Sequence, residues 1–147
     1  MTDEQRSTIE RLLDSNIEAL NRQDLQTVLA NQHPDARLVA DGQVVSEVHD
    51  QLARLTQTLW EAFPDGRFRH DRRVITNGTA ATELTFTGTQ SGPLATPAGD
   101  VPATGRQVTV HSASFMSFRD GLIAEEHTYS NQLAFLTQLG LLPGGPP

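Results

Sequence analysis

Neither cysteine nor lysine occurs in the 147 residues. The lack of cysteine rules out a disulfide framework, a thiolate nucleophile and a Cys-based metal site. Without lysine there is no Schiff-base chemistry on a side-chain amine. Positive charge is scarce as well: 11 Arg face 18 acidic residues, for a net charge of −7. A general nucleic-acid binder needs a basic surface, so that class is excluded. Long hydrophobic runs are missing, so no membrane span is expected. The polar start Met1-Thr2-Asp3-Glu4-Gln5-Arg6 runs straight into a helical pattern, with no signal-peptide core. These absences point to a soluble, cytoplasmic domain. The five His residues (33, 49, 70, 111 and 127) show no close ligand pairing, and no nucleophile elbow, P-loop or dinucleotide fingerprint is present. No metal and no cofactor are expected.

What is present reads as one domain over residues 1–147, with 143–147 as a frayed tail. A chain of this length buries about 68–70% of its unfolded surface, enough to stabilise a core around an internal pocket. Ile9, Leu12, Leu13, Asn16, Ile17 and Leu20 follow helical spacing over residues 3–22. Asp24 caps a short second helix. Ala36–Ala40 reads as a strand with an Asp41-Gly42 turn. Leu52, Leu55, Leu59, Trp60 and Phe63 mark a third helix, stopped by Pro64-Asp65-Gly66. Residues 67–76 and 79–89 are strands around Asn77-Gly78, a hairpin signal. The Gly/Pro-rich stretch 90–105 reads as a loop. A long strand over 107–118 turns at Asp120-Gly121 into a last strand and helix. Helices segregated from a meandering antiparallel sheet indicate an α+β class, with helices on one sheet face.

In the last strand, Ile123, Glu125, His127, Tyr129 and Asn131 alternate onto one side, with Glu126 and Thr128 expected to face solvent or a subunit interface. This row is a candidate small-molecule site. His127 is its best base, because imidazole titrates near physiological pH. Glu125 can orient that ring, and Tyr129 offers an aromatic wall with a polar tip. Asn131 suits either a helix N-cap or a hydrogen bond to a substrate oxygen. His111 lies on the adjacent strand, and register decides its face. Asp41 is placed at the pocket rim or in turn chemistry. Trp60, Phe63, Phe86 and Phe115 are expected in the core and cavity wall. Arg67, Arg69, Arg72 and Arg73, beside His70 and Asp71, read as a solvated or interfacial face.

Four landmarks carry a family resemblance: Ala62-Phe63-Pro64-Asp65, Thr87-Gly88-Thr89, Thr104-Gly105-Arg106, and Arg119-Asp120-Gly121-x-Ile123 followed by Gln132-Leu133 and Gln138-Leu139-Gly140. Together they resemble the SnoaL-like polyketide cyclases of the NTF2-like superfamily. The resemblance implies an α+β cone, a curved antiparallel sheet wrapped around helices with an internal pocket, also described as a cystatin-like barrel. It implies a homodimer or larger assembly through the outer sheet face, and a small hydrophobic polyketide-like substrate. The family reaction is a cofactor-free intramolecular ring closure. By motif, Asn131 stands where the family has an acid/base Asp, and a carboxamide does not exchange protons near neutral pH. His127 stands where an aromatic is usual. The expected activity is therefore a cyclase with His127, Asn131 and Glu125 as catalytic residues and Tyr129, Trp60, His111, Phe115 and Asp41 around the substrate. Epoxide opening on the same fold, or ligand binding without turnover, are the alternatives.

Overall fold

The structure, a computed structural model, describes residues 1–142. Helix α1 (Asp3–Asn21) starts at a capping box in which Thr2 and Gln5 satisfy each other's backbone N–H groups. Helix α2 (Leu25–Ala30) is capped by Asp24, and α3 (His49–Ala62) ends at Phe63 before Pro64. Strands β1 (Gln32–Ala40), β2 (Gln43–Ser46), β3 (Arg67–Thr76), β4 (Thr79–Thr89), β7 (Gln107–Arg119) and β8 (Leu122–Ser130) form one sheet in the order β2-β1-β8-β7-β4-β3. Helix α4 (Gln132–Gln138) follows the last strand.

All three X-Gly turns bend as their sequences demand. Asp41-Gly42, Asn77-Gly78 and Asp120-Gly121 each place both residues at positive φ, the geometry that matches the twist of a hairpin. The sheet departs from a pure antiparallel meander in one place: β1 runs parallel to β8. That pairing joins the two ends of the chain, and no local signal encodes it. The stretch 90–105 is also more ordered than a plain loop. It holds a small hairpin, β5 (Leu94–Thr96) with β6 (Gly99–Val101), and Gln90 pins its base from a fully buried position. The Gln90 side chain donates to the Pro102 carbonyl and accepts from Thr104. The tail expected at 143–147 lies outside the described residues.

Two bulges set which residues face inward. In β3, His70 pairs with Leu84 and Arg72 with Glu83, so Asp71 is the extra residue. In β8, Ile123 pairs with Phe118 and Glu125 with Ser117, so Ala124 is extra. Each extra residue reverses the alternation beyond it.

Helix α1 lies on the concave face, and two apolar clusters fill that side. Ile9, Leu13, Ile75, Ala80, Met116 and Ile123 form one. Ala62, Phe63, Phe86, Val108 and Leu139 form the other, where the rings of Phe63 and Phe86 meet edge to face at 5.4 Å. Along β3, β4 and β7 the residues between these clusters are His70, Thr82, Leu84, Ser112 and Ser114. The interior thus turns polar midway along the sheet. Among the described residues, no helix is long and apolar enough to cross a membrane.

Candidate active site

A cavity of about 120 Å³ occupies that polar gap between α1 and the sheet. At roughly 30 Å³ per water it holds about four waters, or one six-membered ring. Leu13, Ile17, Leu20, Phe68, Leu84 and Met116 form its apolar wall. Its polar groups are Asn16 from α1, His70 from β3, Ser112 and Ser114 from β7, and Glu126 and Thr128 from β8. A larger groove of about 600 Å³ runs along the start of α1 and the tips of two hairpins. It is open to solvent, and its one carboxylate–imidazole pair, Asp120 with His33 at 3.5 Å, lies at an exposed hairpin tip.

Glu126 points inward because the Ala124 bulge moves it there. The residue is half-buried, lining both this cavity and a smaller pocket against β1 and α3; desolvation of its carboxyl pushes its pKa up, with the Ser114 hydroxyl offsetting only part of the effect. A carboxyl raised toward neutrality is suited to both giving and taking a proton.

His70 lines the same cavity. Its Nδ1 accepts from Arg73 Nε at 2.9 Å and Nη2 at 2.7 Å, and Arg73 is paired with Asp14 of α1 at 2.6 Å. Burial, then the Arg73 charge, lowers the His70 pKa from 6.5 to about 4, against the opposing pull of Asp14 and Asp71. The ring is neutral near pH 7. Asn16 adds an enclosed Oδ1 with no hydrogen-bond partner among the described residues.

The residues singled out from sequence fall elsewhere. Glu125, His127 and Tyr129 share the outer, convex face of the sheet with Phe115 and His111, while Glu126 and Thr128 face the cavity. This reverses the expected faces of β8. The alternation was counted from Ile123, which does face the core, and the bulge at Ala124 inverts everything after it. On the outer face, His127 Nε2 and Glu125 Oε1 sit 2.5 Å apart, and Arg37 lies 3.7 Å from the same carboxylate. The His127 hydrogen bond, more than Arg37, lowers the Glu125 pKa. Phe115 and Tyr129 stack edge to face and are 52% and 48% exposed, so Phe115 is not part of the core. His111 is exposed in register with Thr85, whose hydroxyl also donates to Asp71.

Asn131 is an exposed N-cap whose Oδ1 accepts from the Ala134 N–H at 2.9 Å. Asp41 Oδ1 holds the Ser130 N–H at 3.1 Å, tying the β1–β2 turn to the end of β8. Trp60 is half-buried on α3; its indole N–H is enclosed and has no hydrogen-bond partner among the described residues, and the ring is not in the wall of this cavity. Of the Arg-rich strand, Arg67, Arg69 and Arg72 are exposed as expected, but His70 and Arg73 turn inward. The inward pair and Glu126 were not legible as site residues, because both bulges depend on pairing with another strand. Asn16, a polar residue inside an otherwise apolar helical stripe, was the one available signal.

A family model described as SnoaL-like polyketide cyclase matches residues 10–139. The chain belongs to the SnoaL-like polyketide cyclase family. The architecture agrees: this SnoaL-like chain is an α+β, NTF2-like cone whose curved sheet wraps an internal pocket. It is similar to AclR of Streptomyces galilaeus, a proposed hydroxylase, at 26% identity and TM-score 0.80, covering 93% of this chain and 83% of that one. IdmH of Streptomyces antibioticus, a proposed polyketide cyclase, is 26% identical with TM-score 0.74, covering 89% and 97%. TsrD of Streptomyces laurentii shares the fold at 24% identity and TM-score 0.81, covering 93% and 98%. No curated protein sequence matches the chain.

Proposed function

We propose that this SnoaL-like protein is a cofactor-independent cyclase that closes a ring in a polyketide-like intermediate, with Glu126 as its acid/base. The observation that carries this reading is the desolvated, raised-pKa carboxyl of Glu126 in the wall of the internal cavity. The ionised Glu126 takes a proton from the carbon beside a substrate carbonyl. The enolate carbon so formed bonds to a second carbonyl carbon of the same molecule, and the proton returns to that carbonyl's oxygen. No atom is gained or lost in this step; later loss of water aromatises the ring. The cavity holds about one ring, so the reacting end is enclosed and the rest of the chain extends toward the mouth. Holding both carbons in contact supplies much of the acceleration.

The test is mass spectrometry of β-keto ester and epoxide substrates incubated with the protein in ¹⁸O-labelled water. Isomerisation, or loss of water without label at the ring-closing carbon, is the expected result. Water addition carrying label moves the reading to epoxide opening, which the same carboxyl can assist as general acid. Saturable binding with unchanged substrate moves it to a binding module.

The outer face supports a homodimer in the same proposal. Phe115 and Tyr129 stack edge to face on the convex sheet and are 52% and 48% exposed, a paired aromatic surface suited to a subunit contact. Light scattering is expected to show a dimer that Phe115→Arg with Tyr129→Arg converts to monomer; a monomeric wild type overturns it.

A further inference from the structure

We propose that Asp14 and Arg73 are positioning residues that hold the His70 ring as a hydrogen-bond donor, its Nε2–H presented to an uncharged carbonyl oxygen of the substrate. A guanidinium never gives up its proton in a protein and has no acceptor atom. With two of its N–H groups within 2.9 Å of His70 Nδ1, that nitrogen must offer its lone pair. The proton of the neutral ring is therefore on Nε2, the one polar atom left for the cavity that the ring lines. Asp14, 2.6 Å from Arg73, fixes the guanidinium from α1 and balances its charge.

The Asp71 bulge makes the arrangement available. Without that extra residue, His70 and Arg73, three apart in a strand, would face opposite sides. The burial and Arg73 charge that depress the His70 pKa act in the same direction and keep the ring uncharged at neutral pH. A neutral donor of this kind polarises a carbonyl without surrendering its own proton.

The charges facing the ring are Arg73 on β3, Asp14 on α1 and Glu126 across the cavity, while Asp71 acts on it from the outer face of the sheet, where it is held by Arg69 and Thr85. Arg73 is already paired, so no free cation is left for a carboxylate or phosphate. The reacting end of the substrate is therefore a ketone or ester, and Asn16 Oδ1 awaits a donor such as an enol or phenol hydroxyl. The carbonyl's part in ring closure rests on the cyclase reading above, but the donor's geometry does not.

Two measurements decide it without turnover. Two-bond ¹H–¹⁵N spectra of ring-labelled protein are expected to show His70 unprotonated at Nδ1 and protonated at Nε2 from pH 8 down to about 5. In Arg73→Gln the ring should titrate at higher pH and lose its single tautomer; Arg73→Lys, which keeps a donor and the charge, should restore part of the effect. Acetophenone, one ring with one carbonyl, should bind with its carbonyl stretch lowered in frequency, whereas benzoate should not bind. His70→Phe should abolish the frequency shift and weaken acetophenone about two- to ten-fold. An Nδ1–H tautomer, a charged ring at pH 7, benzoate binding as well as acetophenone, an unshifted carbonyl, or no saturable acetophenone binding overturns the proposal. A lowered carbonyl stretch alongside full ring-closing activity in Glu126→Gln would retain the donor and sink only the acid/base reading.

Discussion

Glu125 and Glu126 are neighbours in the chain, yet their carboxyl groups are driven in opposite directions. Glu125, on the convex face, is met by His127 and Arg37 and held below the usual carboxylate range. Glu126, on the concave face, is desolvated beside Ser114 and pushed above it. The two faces differ in the same way elsewhere. Outside, His111 and His127 lie among carboxylates and hydroxyls open to water. Inside, His70 meets a guanidinium and an apolar wall. The lesson is that residue type did not locate the cavity: the ionisable row visible in sequence lies on the solvated face, where hydrogen bonds and charges favour the ionised carboxylates, while burial on the other face disfavours the charged forms of Glu126 and His70.

The sharpest way to break this comparison is to remove each glutamate's charge in turn. In ring-closure assays, Glu126→Gln is expected to lose about 10²–10⁴-fold in rate, and Glu125→Gln to stay within about threefold; equal losses would end the distinction between the faces. Packing should divide in the same way. Leu13→Ala, at a 1% exposed core position, should cost about 2–5 kcal/mol in urea unfolding. Leu133→Ala, 65% exposed, should change stability by less than about 0.5 kcal/mol.

Acid tests the inner face from another side. The unfolded His takes up a proton near 6.5 and His70 only at about 4, so the unfolded chain binds more protons in that window. Stability is then full above pH 6.5 and falls as pH drops toward 4, by about 1–2 kcal/mol for a half-buried, partly screened ring. His70→Gln should remove this slope from thermal melts. Glu126 acts in the opposite sense: its raised pKa means stability is lost as pH climbs from 4.5 through its folded value, and Glu126→Gln should flatten that limb. The outer pair should matter less than either inner group: His127→Gln should shift stability by no more than about 1 kcal/mol, and a larger shift in chemical denaturation would show that the convex network is structural.

Much of the fold was legible because it is written locally. Ile9, Leu13 and Leu20 announce α1, Asp24 and Asn131 announce caps, and Asn77-Gly78 announces a hairpin whose two strands begin and end at the expected residues. The parallel β1–β8 pair was not legible, since it depends on two segments far apart in the chain. The site failed for the same reason. Counting by twos from Ile123 gives the right answer for one residue and the wrong one for all that follow, and only the partner strand reveals the extra residue at Ala124. Trp60 and His111 were assigned by type, and neither lines the cavity.

The bulge at Ala124 works like a reading frame. One inserted residue decides which of two interleaved side-chain sets, Glu126 with Thr128 or Glu125 with His127 and Tyr129, becomes pocket and which becomes surface. A single-residue deletion there would shift the frame, turn an aromatic and a charged pair into the interior, and export the cavity carboxylate to the convex side. The last strand of this fold therefore carries two complete surfaces in one sequence, and the least conspicuous residue in it, an alanine, selects between them.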